Sequence, residues 1–413
     1  MSRPVKRHAA AVALFACLTV LKLGVWTVLE SHGKVRAFAG DNATSLYIPI
    51  ARRLLEQHRF NGPDTRPDSK VPPGYPLLIA GSIAVSPHSF LTLVPALQML
   101  LDLGTALVLF WLSVRMGLPW TGFLAGCVWM LYPPAVVLST WITAETAFTT
   151  FFTLGLALLA VSFKQAGGKL ALAGGLAMGV ATLLRGTPLF LPLALLPAAL
   201  WSGTVRRWLL FSAGIALLVA PWAIRNLTVL DDFIPVATGL GSVTLQGSDE
   251  RFFTGDGKTA YYPATFQAAI AAGIDKPATD RESQQDQWLG RVGIWVQRRR
   301  FAERPLAAIP FFAHKLVRLW YGTETGGLRS QAVLGFCALL VLPAGIWQLW
   351  RWRSSHPGVA WVALGSLAYL VAMHTLTLPE ARYTFPIFPL LILGACHLYT
   401  HARFAFDKPR KPL

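Results

Sequence analysis

The residues of this sequence that could do chemistry are acids and bases at the ends of apolar segments. Asp41 follows the first apolar segment, and Glu145 begins a later one. A carboxylate in such a place can accept a proton from a hydroxyl group, so both are catalytic candidates. The candidates for substrate binding are Lys70, Tyr75, Arg185, Arg225, Glu380 and Arg382. Because a guanidinium binds phosphate through paired hydrogen bonds, this set suits a substrate that carries phosphate.

Each type of candidate also has an ordinary structural explanation. An acid could cap a helix N-terminus, which would account for Asp41 and Glu145. An arginine at a membrane boundary could extend to the lipid headgroups, which would account for Arg185 and Arg225. An acid and an arginine two positions apart could simply pair with each other. The sequence leaves these alternatives open.

The elements that must position these residues are membrane-spanning helices. The chain has 413 residues, of which 54% are hydrophobic and 14% charged, whereas soluble domains carry about 25% charged residues. About ten apolar segments approach the length that crosses a bilayer: 9–29, 88–113, 118–138, 145–163, 169–185, 187–203, 207–224, 331–350, 359–378 and 385–402. The sequence therefore predicts an all-α polytopic membrane protein. A cleavable signal peptide is the alternative for the first segment.

The distribution of charge predicts the orientation of these helices. When the N-terminus is placed in the cytoplasm, the segments on the cytoplasmic side are almost purely basic, and the outer segments mix acids and bases. This is the bias that sets membrane topology. We therefore expect a multi-pass protein of the plasma (inner) membrane with both termini cytoplasmic. The net charge of +17 follows from topology, so we expect no nucleic-acid partner.

The predicted topology divides the chain into three parts. Residues 1–224 form an N-terminal transmembrane module, whose first outer loop (30–75) carries an amphipathic interfacial helix that begins near Pro49. Residues 225–330 form an extracytoplasmic region of roughly a hundred residues with a polar helix over Asp280 to Arg300. Residues 331–413 form a C-terminal transmembrane module.

Other ionisable and sulfur-bearing residues indicate no separate site. Asp102 lies in the middle of an apolar segment, where we expect it to bond to a neighbouring helix. Lys22 is its candidate partner, and the alternative is that Lys22 extends to the lipid headgroups. The four cysteines lie in apolar segments without metal-ligand spacing, so we expect neither a disulfide nor a zinc site. No cofactor is certain, and a divalent metal held by Asp41 and Glu145 stays an alternative.

Several short motifs, taken in order, resemble those of a known family. They are the acidic first outer loop, the turn Pro72-Pro73-Gly74-Tyr75-Pro76, the segment that begins at Glu145, Leu184-Arg185-Gly186, Pro221-Trp222-Ala223-Ile224-Arg225-Asn226 and Ala381-Arg382-Tyr383-Thr384-Phe385-Pro386. In this order and spacing they are similar to C-type glycosyltransferases. The bacterial branch that resembles dolichyl-phosphate-mannose–protein mannosyltransferases and the lipid A aminoarabinose transferase matches best. The resemblance covers the chain up to Asn226 and again from about Leu376.

The resemblance implies an activity and assigns roles to the candidates. The family transfers a sugar, with inversion, from a polyprenyl-phosphate carrier to an acceptor on the extracytoplasmic face. Asp41 matches the expected base, Glu145 the second acid of the site, and Arg382 with Lys70 the contacts to the lipid phosphate. Many members have a second acid beside the base, where this chain has Asn42. The expected partners are a polyprenyl-phosphate sugar, an acceptor glycan, lipid or protein, and membrane lipids.

Two other functions remain open from the sequence. A lipid flippase or transporter would need a polar path through the bilayer, and only Lys22 and Asp102 lie clearly deep in the apolar segments. A non-catalytic membrane scaffold would use the long outer region to bind a partner. Replacement of Asp41 by Asn distinguishes the scaffold from the transferase, because a scaffold does not need a proton acceptor.

Overall fold

The fold consists of helices connected by short segments. A computed structural model describes residues 3–32, 43–62, 67, 69–164, 168–251, 258–279, 281–323 and 327–406. Within these ranges the extended pairings are isolated bridges, such as that between Asn61 and Pro67, and there is no strand, so the predicted all-α fold class is confirmed. Asp41, the predicted base, and its neighbour Asn42 lie outside the described residues.

The helices of the N-terminal part run from the first apolar segment to residue 230. In chain order they are α1 (Arg3–Ser31), α2 (Ile48–Gln57), α3 (Gly74–Val85), α4 (Phe90–Arg115), α5 (Pro119–Leu131), α6 (Pro133–Thr140), α7 (Glu145–Ser162), α8 (Lys169–Leu184), α9 (Leu191–Trp201) and α10 (Val205–Leu230). A π-helical turn, Ala43–Tyr47, leads into α2. The amphipathic helix predicted near Pro49 is therefore present as α2.

The remaining helices form a lobe, which we call the outer lobe after its predicted orientation, and then a second group of spans. The lobe comprises α11 (Leu240–Gln246), α12 (Lys258–Ala271), α13 (Glu282–Glu303) and α14 (Pro305–Arg318). The later helices are α15 (Leu328–Ser355), α16 (Pro357–Leu376), the single turn α17 (Ala381–Thr384) and α18 (Phe388–Phe406). The polar helix predicted over Asp280 to Arg300 is confirmed as α13.

All ten predicted apolar segments are helical, but they differ in length. Among the described residues, seven helices are long and apolar enough to cross a membrane. An eighth span results if α5 and α6, which meet at an angle of 52°, count as one. The other two, Lys169–Leu184 and Thr187–Trp201, are shorter apolar helices. The chain is thus a multi-pass membrane protein with seven or eight full-length candidate spans, and the expected count of ten is not confirmed.

The spans pack around α7, which is buried along most of its length. Helix α8 packs between α7 and α10. A Cβ atom at Gly175 of α8 would lie only 2.1 Å from the carbonyl oxygen of Phe211 in α10, so the two backbones can approach only because this residue is glycine. Small residues allow such close packing in membranes, where van der Waals contact rather than the hydrophobic effect holds helices together.

A buried ion pair joins α1 to α4 inside the membrane region. Lys22 Nζ lies 2.9 Å from Asp102 Oδ2, and their side chains are 9% and 2% exposed. This confirms that Asp102 bonds to a neighbouring helix, and of the two alternatives for Lys22 the structure shows the pairing with Asp102. Each charge compensates the other, as charges buried in an apolar region require.

The outer lobe has its own small core and rests on the C-terminal end of α16. Leu245, Ala269, Trp288 and Val292 form this core. A Cβ atom at Gly247 would lie 1.8 Å from the carbonyl oxygen of Thr377, just beyond α16. Gln297 of α13 also donates a hydrogen bond to the Leu376 carbonyl, at 3.1 Å. The lobe is therefore held against the end of a span, close to the residues described next.

Candidate functional site

A cavity of about 400 Å³ lies at the ends of several spans, beside the segment that follows the lobe. We call it the boundary cavity. Its polar wall consists of Thr143, Glu145, Thr323, Arg329, Ser330, Glu380 and Arg382. Its apolar wall consists of Pro133, Pro134, Val137, Leu138, Trp141, Val333, Leu334 and Phe385. A cavity with one charged wall and one apolar wall matches the two ends of an amphiphilic ligand.

Glu145 is one of the two acids of the polar wall, and Arg185 is its partner. Glu145 is the first residue of α7 and is 4% exposed. Its carboxylate accepts hydrogen bonds from the Thr143 hydroxyl and from the Arg185 guanidinium. Arg185 follows the last residue of α8 in an extended conformation, which lets its side chain cross to α7. The structure thus brings together two candidates that lie 40 positions apart in the chain.

Glu380 and Arg382 form a second pair on the same wall. The Arg382 Nε atom lies 2.5 Å from Glu380 Oε2, and the two side chains are 37% and 2% exposed. The ion pair that the sequence allowed as a simple explanation is therefore present. The paired Arg382 side chain nevertheless lines the cavity and is more than a third exposed.

Tyr383 connects the two arginines. The Arg185 Cζ atom lies 4.9 Å from the centre of the Tyr383 ring, and the Arg382 Cζ atom lies 5.1 Å from it. His374 of α16 stacks on the same ring, with 4.6 Å between the ring centroids. A guanidinium near an aromatic ring is stabilised by the ring quadrupole. Sequence reasoning missed both aromatic residues, although the position of Tyr383 directly after Arg382 was a usable signal.

The first outer loop reaches this cluster through Tyr47. Burial, followed by the negative charge of Glu145, raises the pKa of Tyr47 to about 12, while Arg185 and Arg382 act in the opposite direction. The phenol is therefore protonated at neutral pH and can donate a hydrogen bond. Tyr47 ends the π-helical turn whose first residue, Ala43, comes two positions after Asp41. Sequence reasoning did not single out Tyr47.

Tyr75 supports the cavity from behind. It is fully buried, and its hydroxyl donates to Gln98 Oε1 at 2.9 Å. The Gln98 amide in turn donates to the carbonyl oxygens of Ser139 and Trp141, at 3.0 and 2.6 Å. These bonds hold the segment that connects α6 to Glu145. Among the predicted binding residues, Tyr75 is thus placed behind the apolar wall, outside the lining of the cavity.

Lys70 and Arg225 connect elements outside the boundary cavity. Lys70 Nζ lies 3.7 Å from Glu282 Oε1 of the lobe, and the two side chains are 57% and 33% exposed. The Arg225 guanidinium donates to the Phe60 carbonyl at 2.8 Å and lies 4.9 Å from the Trp222 ring. Both residues bind the first outer loop to its neighbours, and neither lines the cavity.

The described residues contain no group of three or more His, Cys, Asp or Glu side chains that could hold a metal ion. The alternative of a divalent metal requires Asp41, which lies outside those residues. The other acid of that alternative, Glu145, has its two carboxylate oxygens bonded to Thr143 and Arg185.

The fold is similar to crystal structures of ArnT from Cupriavidus metallidurans. The structure bound to undecaprenyl phosphate is 15% identical, with a TM-score of 0.44 over 93% of this chain and 77% of that one. The apo structure is also 15% identical, with a TM-score of 0.42 over 95% of this chain and 78% of that one. The sequence matches no protein-family model and no curated protein.

Proposed function

We propose that this protein is a membrane glycosyltransferase of the C type. It transfers a sugar from a polyprenyl-phosphate carrier to an acceptor hydroxyl, with inversion, on the extracytoplasmic face of the plasma (inner) membrane. The observation that carries the proposal is the boundary cavity. Its lining combines Glu145, which is bonded to Arg185, and the pair Glu380–Arg382 with apolar side chains of α6, α15 and the neighbouring segments.

The two walls suit the two parts of a lipid-linked sugar. The apolar wall offers aliphatic, proline and aromatic side chains to the first isoprene units of a carrier. The polar wall offers the guanidinium of Arg382 to the phosphate, which an arginine can bind through two parallel hydrogen bonds. Arg329, at the start of α15, lines the same cavity and adds a second positive charge.

The proposed reaction is a direct displacement at the anomeric carbon. The acceptor oxygen attacks this carbon while the bond from the carbon to the phosphate oxygen breaks. The carrier phosphate leaves with the bonding electron pair, and the hydroxyl proton passes to the carboxylate of Asp41. Attack from the face opposite to the leaving group inverts the configuration. A positioned base contributes roughly two to four powers of ten to such a rate.

The residues of the polar wall act on the charge that forms on the phosphate. Arg382 stabilises the departing phosphate, because a positioned cation compensates a developing negative charge better than water does. Arg185 is bound by Glu145, so its role is to add positive potential near the leaving group. Tyr47, whose pKa responds to Glu145, Arg185 and Arg382, is the candidate among the described residues of the first outer loop for a hydrogen-bond donor to the substrate.

The proposal is tested by comparing surface lipids and glycans in native cells with and without the protein. We expect mass spectrometry to find one sugar modification lost on deletion and restored by the wild-type chain. Asp41→Asn should not restore it at equal expression, because the amide keeps the size of the side chain and cannot accept the proton.

The same experiment separates the competing functions. Full restoration by Asp41→Asn would overturn the transferase and favour a scaffold, since an amide and a carboxylate cap helices about equally well. A transporter would be favoured if cells without the protein accumulated an unmodified lipid on the inner face of the membrane and if Asp41→Asn removed this accumulation as the wild-type chain does. Arg382→Ala provides an independent variant, and unchanged modification there would exclude Arg382 from the site.

A further inference from the structure

Helix α14 of the outer lobe has its polar and apolar faces reversed relative to a helix on a water-exposed surface. Its inward face carries Lys315, which is fully buried, and Arg318, which is 5% exposed. Its outward face is formed only by exposed apolar side chains: Leu306, Ile309, Pro310, Ala313, Leu316 and Val317. At 100° per residue these six positions lie within an arc of about 120°. We call this face the α14 stripe.

The α14 stripe is unusually exposed for its composition. Leu306 and Ile309 are 83% and 68% exposed, and Val317 is 59% exposed. A helix in contact with water normally turns such a face to the protein and keeps its charges outside. A helix in contact with lipid is expected to show the opposite arrangement, with apolar side chains outside and basic side chains inside. Its basic groups then need polar partners within the protein, because lipid offers none.

The inward face of α14 has such partners close to the boundary cavity. Lys315 donates a hydrogen bond to the Gly247 carbonyl at 2.6 Å. Phe311 packs with Leu378 and Tyr383, and Tyr383 is the residue that connects Arg185 with Arg382. One face of α14 therefore supports the proposed site while the other is left uncovered by the protein.

The C-terminal end of α14 is fixed at the depth where spans begin. The Thr384 hydroxyl donates to the Leu319 carbonyl at 3.0 Å, and Thr384 lies in the candidate span Ala381–Thr400. Trp320 contacts Phe388 of α18, with 6.3 Å between the ring centroids. Tyr321 lies against Gly335, in the second turn of the spanning helix α15. The helix thus ends within the outer layer of the transmembrane bundle.

The stripe continues the surface that the spans turn to lipid. Beyond Tyr321, the exposed side chains of α15 include Phe336 and Leu339, which are 64% and 72% exposed. On the other side, the exposed Arg304 directly precedes the helix that carries the stripe. An apolar face with a basic residue at its border is the pattern of a helix that lies in the interface of an anionic membrane.

We propose that α14 is an interfacial helix whose stripe is embedded in the same lipid leaflet that the outer ends of the spans reach. The occupant of the stripe is the acyl-chain region just below the lipid headgroups. Arg304 then contacts anionic headgroups, and Lys315 and Arg318 stay on the protein side. The helix holds the Tyr383 side of the boundary cavity at the level of the lipid phosphates. This assignment does not depend on the proposed transferase activity.

The embedding is tested with an environment-sensitive fluorophore on the full-length protein in liposomes that contain anionic lipid. The label is placed at Ile309→Cys or Leu316→Cys after the four native cysteines are replaced by alanine. Ile294→Cys on α13 is the matched control, because Ile294 is 47% exposed on a face shared with Arg291 and Arg298.

The expected result is a difference between the stripe and the control. Nitroxide groups attached near the lipid headgroups should quench the label at both stripe positions at least about twofold more than at the control position. Aqueous iodide should show the opposite order. Equal quenching at all three positions by either agent would overturn the proposal. Self-quenching between labelled copies without lipid quenching would assign the stripe to a second copy of the chain and also overturn it.

A second measurement avoids substitutions altogether. Hydroxyl-radical footprinting of the unmodified protein in liposomes oxidises exposed aliphatic and aromatic side chains. We expect the stripe residues to be protected although the protein itself leaves them uncovered, and Ile294 to be oxidised. Oxidation of Leu306 and Ile309 at the rate of Ile294 would show that the stripe faces water, and would refute the embedding.

Discussion

Replacement of Glu145 by Gln should affect stability and transfer in ways that can be separated. The amide keeps the shape of the side chain and can still accept a hydrogen bond from Thr143, but it removes the charge that compensates Arg185. The side chains of the pair are 5% and 20% exposed. The substitution therefore leaves a mostly buried guanidinium without its carboxylate, beside the rings of Tyr383 and Phe148.

The burial of the pair sets the size of the expected effect. Breaking a buried ion pair by removing one partner costs about 3–5 kcal/mol. Because Arg185 is a fifth exposed, we expect a loss near the lower limit, about 3 kcal/mol. Removal of both charges in Glu145→Gln/Arg185→Met should recover most of that loss. The coupling energy between the two substitutions should then be about 2 kcal/mol or more.

The four proteins of this cycle are purified and compared in denaturant-induced unfolding and in sugar transfer. We expect the double variant to regain stability and to remain inactive, because Glu145 also acts in the proposed site. The buried pair Lys22–Asp102 is the matched control, since it lies between α1 and α4 and lines no part of the boundary cavity. Lys22→Met/Asp102→Leu should retain transfer.

Two results would refute this reasoning. Additive losses of stability in the double variant would show that Glu145 and Arg185 are not energetically coupled, and that the observed contact contributes little. Wild-type transfer by the stable double variant would show that neither residue takes part in the reaction, and that the pair is only structural.

Three further predictions concern other parts of the chain. Arg382→Lys should keep the charge beside Glu380 and still weaken donor use by roughly 10-fold, because an ammonium cannot form the paired phosphate bonds; normal dependence of the rate on donor concentration would contradict this. A cysteine at the exposed lobe position Ala272 should react with an impermeant maleimide in intact cells, and labelling only after permeabilisation would reverse the orientation. Burial, then the charge of Arg300, lowers the pKa of Lys315 from 10.5 to about 7. Since the unfolded chain binds the extra proton between these values, stability should rise with pH from about 7 to about 10.5, and Lys315→Met should abolish this rise in thermal unfolding.

Much of the architecture could be predicted from the sequence, because hydrophobic runs and helical periodicity are local properties. The lengths of the apolar segments located the spans. Apolar residues spaced three and four positions apart located α2. The pairing of Asp102 with Lys22 could also be expected, because a charge inside an apolar segment has few partners available. The unconfirmed part is the count of full-length spans, since α8 and the helix Thr187–Trp201 are apolar yet short.

The sequence also predicted that ionisable residues occur at the outer ends of spans, but it could not predict which of them meet. The motifs placed Lys70 and Arg225 in the same set as Arg382, whereas the structure bonds Lys70 to Glu282 and Arg225 to Phe60. A residue at a helix end can point in several directions, and only the packing of distant helices selects one.

Only the tertiary structure determines which residues form the polar wall and which face of α14 is turned toward the protein. The contact between Glu145 and Arg185 depends on how α7 packs against α8, and the stacking of His374 on Tyr383 depends on how α16 meets α17. In α14 the sequence shows an apolar face and a basic face without showing which one is inside. The periodicity of the sequence determines that the helix has two faces. The packing of the surrounding helices determines which of the two faces is buried.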